Sequence, residues 1–226
     1  MSPMNTFSLR IILIVLGLAQ LSCGAFAQSG IPAPDATEAS VQAAAMAGLE
    51  AFLNKIPPGR EIEYGFGNRE EFRRAKLGTA FQVFTLPPDS MRQGIDPKKS
   101  YMIPLNEWRV PVIVDGTFRT LVTVSIVNNA LNTVELGGES LAKEMMDFWE
   151  KEPNGRRGLL RLYQLRCDFL VLDRDGLGVE YGEFYPLRSA RLVFGSLDCS
   201  VAHPCFKADM YPKIQRKYTE EQWRDR

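Results

Sequence analysis

Two cysteines and the chain's single histidine fall close together in Cys199-Ser200-Val201-Ala202-His203-Pro204-Cys205. Two thiolates and an imidazole have the donor softness for a zinc-like ion, with Asp198 or water as a fourth ligand. The same thiols in an oxidising compartment join into a small disulfide loop, and this is the expectation favoured for Cys199 and Cys205. On that reading the cluster holds neither metal nor cofactor. Serine or cysteine nucleophilic catalysis needs a base, and here every such scheme depends on His203. No serine stands in a G-x-S-x-G elbow and the surroundings of the cysteines are not papain-like, so no catalytic residue is assigned.

The acidic residues offer two pairs, Glu61 with Glu63 and Glu180 with Glu183. Glycoside chemistry depends on the spatial separation of two carboxyls, which sequence does not fix, so solvated faces are the expectation. Asp173-Arg174-Asp175-Gly176 has the look of a calcium loop, but with Gly176 as the sixth residue the first position is Val171 and the twelfth Gly182. Neither ligates through a carboxylate, and a turn explains the same residues. Tyr64-Gly65-Phe66-Gly67-Asn68 lacks dinucleotide spacing and implies no phosphate cradle. What remains is the chemistry of contact. Phe81, Phe84, Phe118, Phe148 and Trp149 are expected in the core, whereas Trp108, at a strand start after a proline-rich segment, is expected exposed as a partner-binding anchor together with Tyr101.

The elements that must position these residues are plain in places. Trp108–Val114, Asp115-Gly116, Thr117–Val127, Asn128-Asn129 and Ala130–Leu136 read as a three-stranded meander with two tight turns. Before it, Thr37 caps a helix with Val41, Ala44, Ala45, Leu49, Phe52 and Leu53 on one face, stopped at Pro57-Pro58-Gly59. Asn68 opens a short helix through Ala75, and Ala80–Leu86 is a strand. From Pro87 to Asn106 runs a long proline-containing loop, with Tyr101–Leu105 as an edge strand inside it.

After the meander, Leu141–Trp149 is a helix, and the apolar alternation of Tyr163, Leu165, Cys167, Phe169 and Val171 predicts a half-buried strand. Leu177–Tyr185 and Ala190–Phe194 read as further strands, and residues 196–226 as an irregular tail with a short helix over Thr219–Trp223. The fold class is therefore α+β, an antiparallel meander with helices packed on one face in two layers. Residues 37–195 form the domain, with 37–136 and 137–195 as two similar helix-plus-strands units. Helix-then-meander order resembles the cystatin-like and PepSY-like arrangements, without a motif of either.

Residues 1–27 read as a secretory signal peptide: Arg10, the apolar run Ile11–Leu18, and Ala25-Phe26-Ala27 as a cleavage site. Residues 28–36 follow as a flexible start, and acylation of Cys23 is the less favoured alternative because Gln20 stands where an aliphatic residue is wanted. The chain is then periplasmic or extracellular, with no transmembrane anchor after cleavage. With 27 basic and 27 acidic residues, it lacks the positive surface that nucleic acid demands. These features point to an exported, non-catalytic binding or envelope-associated protein, its partner a protein or cell-envelope polymer met through the 87–106 loop and the neighbouring sheet edge. A hydrolase or metal-binding protein using carboxylates or the Cys199-His203-Cys205 cluster is the alternative.

Overall fold

The structure is a computed structural model that describes residues 36–96, 98–151, 154–195, 197, 199 and 203–224. The signal segment, Cys23, the mature start and Asp198 lie outside the described residues. Among the described residues no helix is long and apolar enough to cross a membrane.

Helix α1 spans Glu38–Lys55; the Thr37 hydroxyl accepts the Ser40 N–H at 3.2 Å, satisfying one of the donors that a helix start leaves open. Val41, Ala45, Leu49 and Leu53 recur at four-residue spacing and are buried. A 3-10 turn at Glu61–Tyr64 and another at Arg69–Arg74 follow, the second capped by Asn68. Its Glu71 reaches back to the N–H of Gly67 at 3.0 Å.

The strands are β1 (Lys76–Leu77), β2 (Phe81–Thr85), β3 (Ile103–Val114), β4 (Thr117–Val127), β5 (Ala130–Gly137), β6 (Arg156–Leu162), β7 (Cys167–Asp173) and β8 (Glu183–Pro186). They form one sheet in the order β5-β4-β3-β2-β6-β7-β8, with β1 beside β3. Pairing is antiparallel except between β2 and β6, where Gln82–Phe84 run parallel to Gly158–Leu160. The meander is as the sequence predicts. Asp115, Gly116, Asn128 and Asn129 all take positive φ at its turns, a conformation open to glycine, asparagine and aspartate. The two expected units are thus halves of one sheet, joined by the parallel pair.

Helices α2 (Pro88–Gln93), α3 (Glu139–Lys151), α4 (Arg188–Phe194) and α5 (Lys207–Arg224) complete the α+β fold. Their placement corrects the expectation of two layers. One sheet face carries Val110, Val112, Val114, Val122, Val124 and Leu136 under α1. The same face continues into Phe84, Leu160, Leu162, Phe169, Val171 and Phe184, packed by Met91 of α2 and by Met210, Tyr211, Ile214 and Tyr218 of α5. The opposite face, with Phe81, Val83, Phe118, Leu121, Leu159, Leu170 and Leu172, packs on Ala142, Met145 and Phe148 of α3. Both faces of the central strands are apolar, so each needs a cover, and helices lie on both sides.

Six local expectations are also corrected. The Tyr163–Val171 alternation is split, because Tyr163–Leu165 is a 3-10 turn and Arg166 takes φ 51°, so β6 and β7 meet there as a hairpin. Leu177–Tyr185 is shortened, since Asp173, buried, accepts the N–H groups of Leu177 and Gly178 and holds an irregular bend before the 3-10 turn at Val179–Tyr181. Ala190–Phe194 belongs to α4, not a strand, and the tail is not irregular: α5 is an 18-residue helix whose apolar side lies in the core. The 87–106 loop is no free arm, because Met91, Ile95 and Met102 are buried beside α5, and Tyr101–Leu105 is no separate edge strand, because β3 begins at Ile103 and pairs with β2.

Candidate functional site

The residues singled out for chemistry are dispersed. Cys199 and Cys205 form a disulfide with Cα atoms 5.2 Å apart, so both sulfurs are engaged and no thiolate pair is left for a soft metal. Cys205 also exchanges backbone hydrogen bonds with Phe184, extending the sheet past β8. His203 is exposed in the loop between the two cysteines. Cys167 is a free, buried thiol that burial pushes up to about 12.

The acidic pairs point apart. Exposed Glu63 pairs with Arg60, while Glu61 is buried and lies 3.2 Å from Arg69. Backbone N–H groups, then Arg69, hold Glu61 below the usual carboxylate range against the opposing effect of burial. Glu183 pairs with Arg174 at 3.0 Å and accepts from the Tyr185 hydroxyl. Burial first, and that hydrogen bond second, push Tyr185 up to about 12. Glu180 instead faces a groove.

That groove, about 670 Å³, brings together parts of the chain that sequence keeps far apart. Its floor is Gln82 and Phe84 of β2 with Pro104 and Trp108 of β3, on the face shared by α1 and α5. Ala36 and Glu38 at the start of α1 border one side; Leu177, Gly178, Val179 and Glu180 border the other. Trp149, Arg156 and Arg157 close the end near β6, the Arg157 guanidinium resting 4.0 Å from the Trp149 ring centre. Beneath them Gly158 permits the packing, since a Cβ there would fall 2.6 Å from Val179 and 2.8 Å from Phe84.

The groove lies over β2, between the start of α1 and the Leu177–Glu180 bend. Its volume is in the range of small-ligand and peptide sites, and its lining combines an apolar floor with a rim of both charges. Trp108 is therefore not the exposed anchor expected: at 7% exposure its ring belongs to the core and only borders the groove. Tyr101 is not exposed either. It is half-buried, its ring 6.2 Å from that of Tyr211 and its hydroxyl accepting the Asp96 N–H. Sequence reasoning missed Gln82, Met102, Arg156 and the Leu177–Glu180 bend, whose common position depends on the parallel β2–β6 pair and leaves no local pattern.

Comparison with protein-family models, with curated proteins and with solved structures finds no match to this chain.

A second polar array lies on the other face, at the end that α3 leaves open. Arg109 meets Glu107 at 2.9 Å, Glu135 at 3.0 Å and the Thr123 hydroxyl at 2.6 Å, and Arg161 meets Asp168 at 2.8 Å. Cross-strand register sets these partners: Arg109 stands opposite Thr123, Thr123 opposite Glu135, and Arg161 opposite Asp168. Each charge already has a counter-charge within the sheet, so the array reads as structural.

Proposed function

We propose that this chain is an exported, non-catalytic binding protein that receives a segment of a protein or of a cell-envelope polymer in the groove over β2. The observation that carries this reading is the groove's chemistry. Among its described lining residues there is one hydroxyl, Thr79, and no histidine, cysteine or serine, so no nucleophile has a base beside it. Its carboxylates, Glu38 and Glu180, come from opposite walls, whereas Trp108, Phe84 and Met102 offer an apolar bed and Gln82 and Arg156 offer donors. Export is supported by the N-terminal pattern and by the Cys199–Cys205 bridge, a bond that persists in oxidising compartments.

Two of the chain's three tryptophans, Trp108 and Trp149, line the groove and report on its occupancy. Titration with peptidoglycan fragments in one arm and a random peptide pool in the other is expected to shift tryptophan emission with one of them. Gln82→Tyr, which fills the floor, is expected to abolish that shift while leaving the circular dichroism spectrum unchanged. No shift in either arm, or one that survives Gln82→Tyr undiminished, would refute the groove as the site.

A further inference from the structure

We infer that this protein associates through its β5 edge with a second copy of itself, independently of what fills the groove. The two edges of the sheet are treated differently. The β8 edge is short, contains Pro186 and is covered by the chain's own Cys205 through two backbone hydrogen bonds. The β5 edge is eight residues long, Ala-Leu-Asn-Thr-Val-Glu-Leu-Gly, and no described strand pairs beyond it. It contains no proline and no lysine, two devices that ordinarily keep an edge from recruiting another strand. Its one irregularity is at Val134, where the register shifts between the Thr123–Glu135 and Val124–Thr133 pairs. Counting the antiparallel alternation from the Asn128-Asn129 turn, Leu131 and Thr133 direct their N–H and C=O groups away from β4.

Three observations select a like copy as the occupant. First, antiparallel pairing of one strand with itself is the self-complementary contact of a two-fold dimer, the commonest closed symmetry. Second, Glu135 is the only charged residue of β5, and its carboxylate is turned onto the sheet face toward Arg109, so pairing centred near Asn132 or Thr133 sets no like charges opposite one another. Third, α1 runs close above β5: the Thr133 hydroxyl donates to the Ala44 carbonyl at 2.8 Å, and a Cβ on Gly48 would lie 2.3 Å from the Thr133 Cβ. On this flank α1 presents exposed Ala47 and Ala51, small enough for the same helix of the second copy to approach. Val134 and Val127, exposed at 44% and 42%, would be covered in the pair.

Sedimentation velocity on the disulfide-intact protein at high micromolar concentration is expected to give twice the chain mass. Val134→Lys and Val134→Glu, each at an exposed side chain that the monomer does not need, are expected to give monomers with unchanged circular dichroism. Mixed in equal amounts they are expected to recover the dimer, because the two-fold axis brings position 134 of each copy near its counterpart. Hydrogen exchange adds a second reading: the Leu131 and Thr133 amides are slow in the dimer and fast in the variants. A wild-type monomer, or a dimer indifferent to both substitutions, would overturn the proposal, the latter by placing association on another face.

Discussion

The α1 half and the α5 half of the shared sheet face are covered in opposite ways. Helix α1 is adjacent in sequence to the strands it packs on, carries its own Thr37 cap and follows the four-residue apolar rhythm of Val41, Ala45, Leu49 and Leu53. Helix α5 arrives at the far end of the chain, has Pro212 within it, and packs on strands from Phe84 to Phe184. Before it begins, the Cys199–Cys205 bridge and the Cys205–Phe184 hydrogen bonds fasten the chain to β8. One cover is assembled from local signals; the other depends on a covalent tether. The difference teaches that a helix with weak local credentials can still take its place over the sheet when its point of entry is fixed.

The largest expected effect is on the α5 half. Phe169 is fully buried between Phe184 and Phe194, with ring centres 6.2 and 5.8 Å away, and Phe169→Ala is expected to cost about 3–5 kcal/mol in denaturant unfolding. Next, Cys199→Ser with Cys205→Ser removes the tether. Chain-entropy arithmetic for so short a loop gives about 2 kcal/mol, and protease nicking of α5 is expected before any loss of α1. If α1 and α5 were released together, the contrast between them would fail. Thr37→Ala is a smaller perturbation on the other side, expected to cost about 1 kcal/mol and to raise exchange only in the first turn of α1.

The mildest test alters no residue. Burial pushes the Cys167 thiol and the Tyr211 phenol, both in the α5 half, up to about 12 from ordinary values of 9.0 and 10.0. The neutral forms are favoured in the folded state. Their contribution is therefore complete below the unfolded-state values and is lost as pH climbs from there toward about 12. Alkaline titration followed by hydrogen exchange is expected to loosen α5 first; simultaneous loss of the α1 core would break the comparison.

What was legible follows the same division. The meander and α1 could be read because turn residues, a cap and periodicity all act within a few residues of one another. Helix α5 carried a readable signal, Met210, Ile214 and Tyr218 at four-residue spacing with Tyr211 beside them, but Pro212 and a polar surface masked it. The alternation from Tyr163 to Val171 misled because strands buried on both faces are apolar throughout, so period alone could not place the turn at Tyr163–Leu165. The disulfide was foreseeable from compartment and spacing. The groove was not, because its walls come from segments whose meeting is decided by a parallel pairing.

That pairing also sets an order of events. The Thr85 hydroxyl reaches the Arg161 carbonyl across 76 residues of chain, and closing a loop of that length costs about 4 kcal/mol of configurational entropy. The β3–β4, β4–β5 and β6–β7 hairpins span only short turns and are expected to zip before the seam between β2 and β6 closes. Until it closes, each half of the molecule displays half a sheet with an unfinished inner border. On that order the groove floor is expected to be among the last surfaces completed.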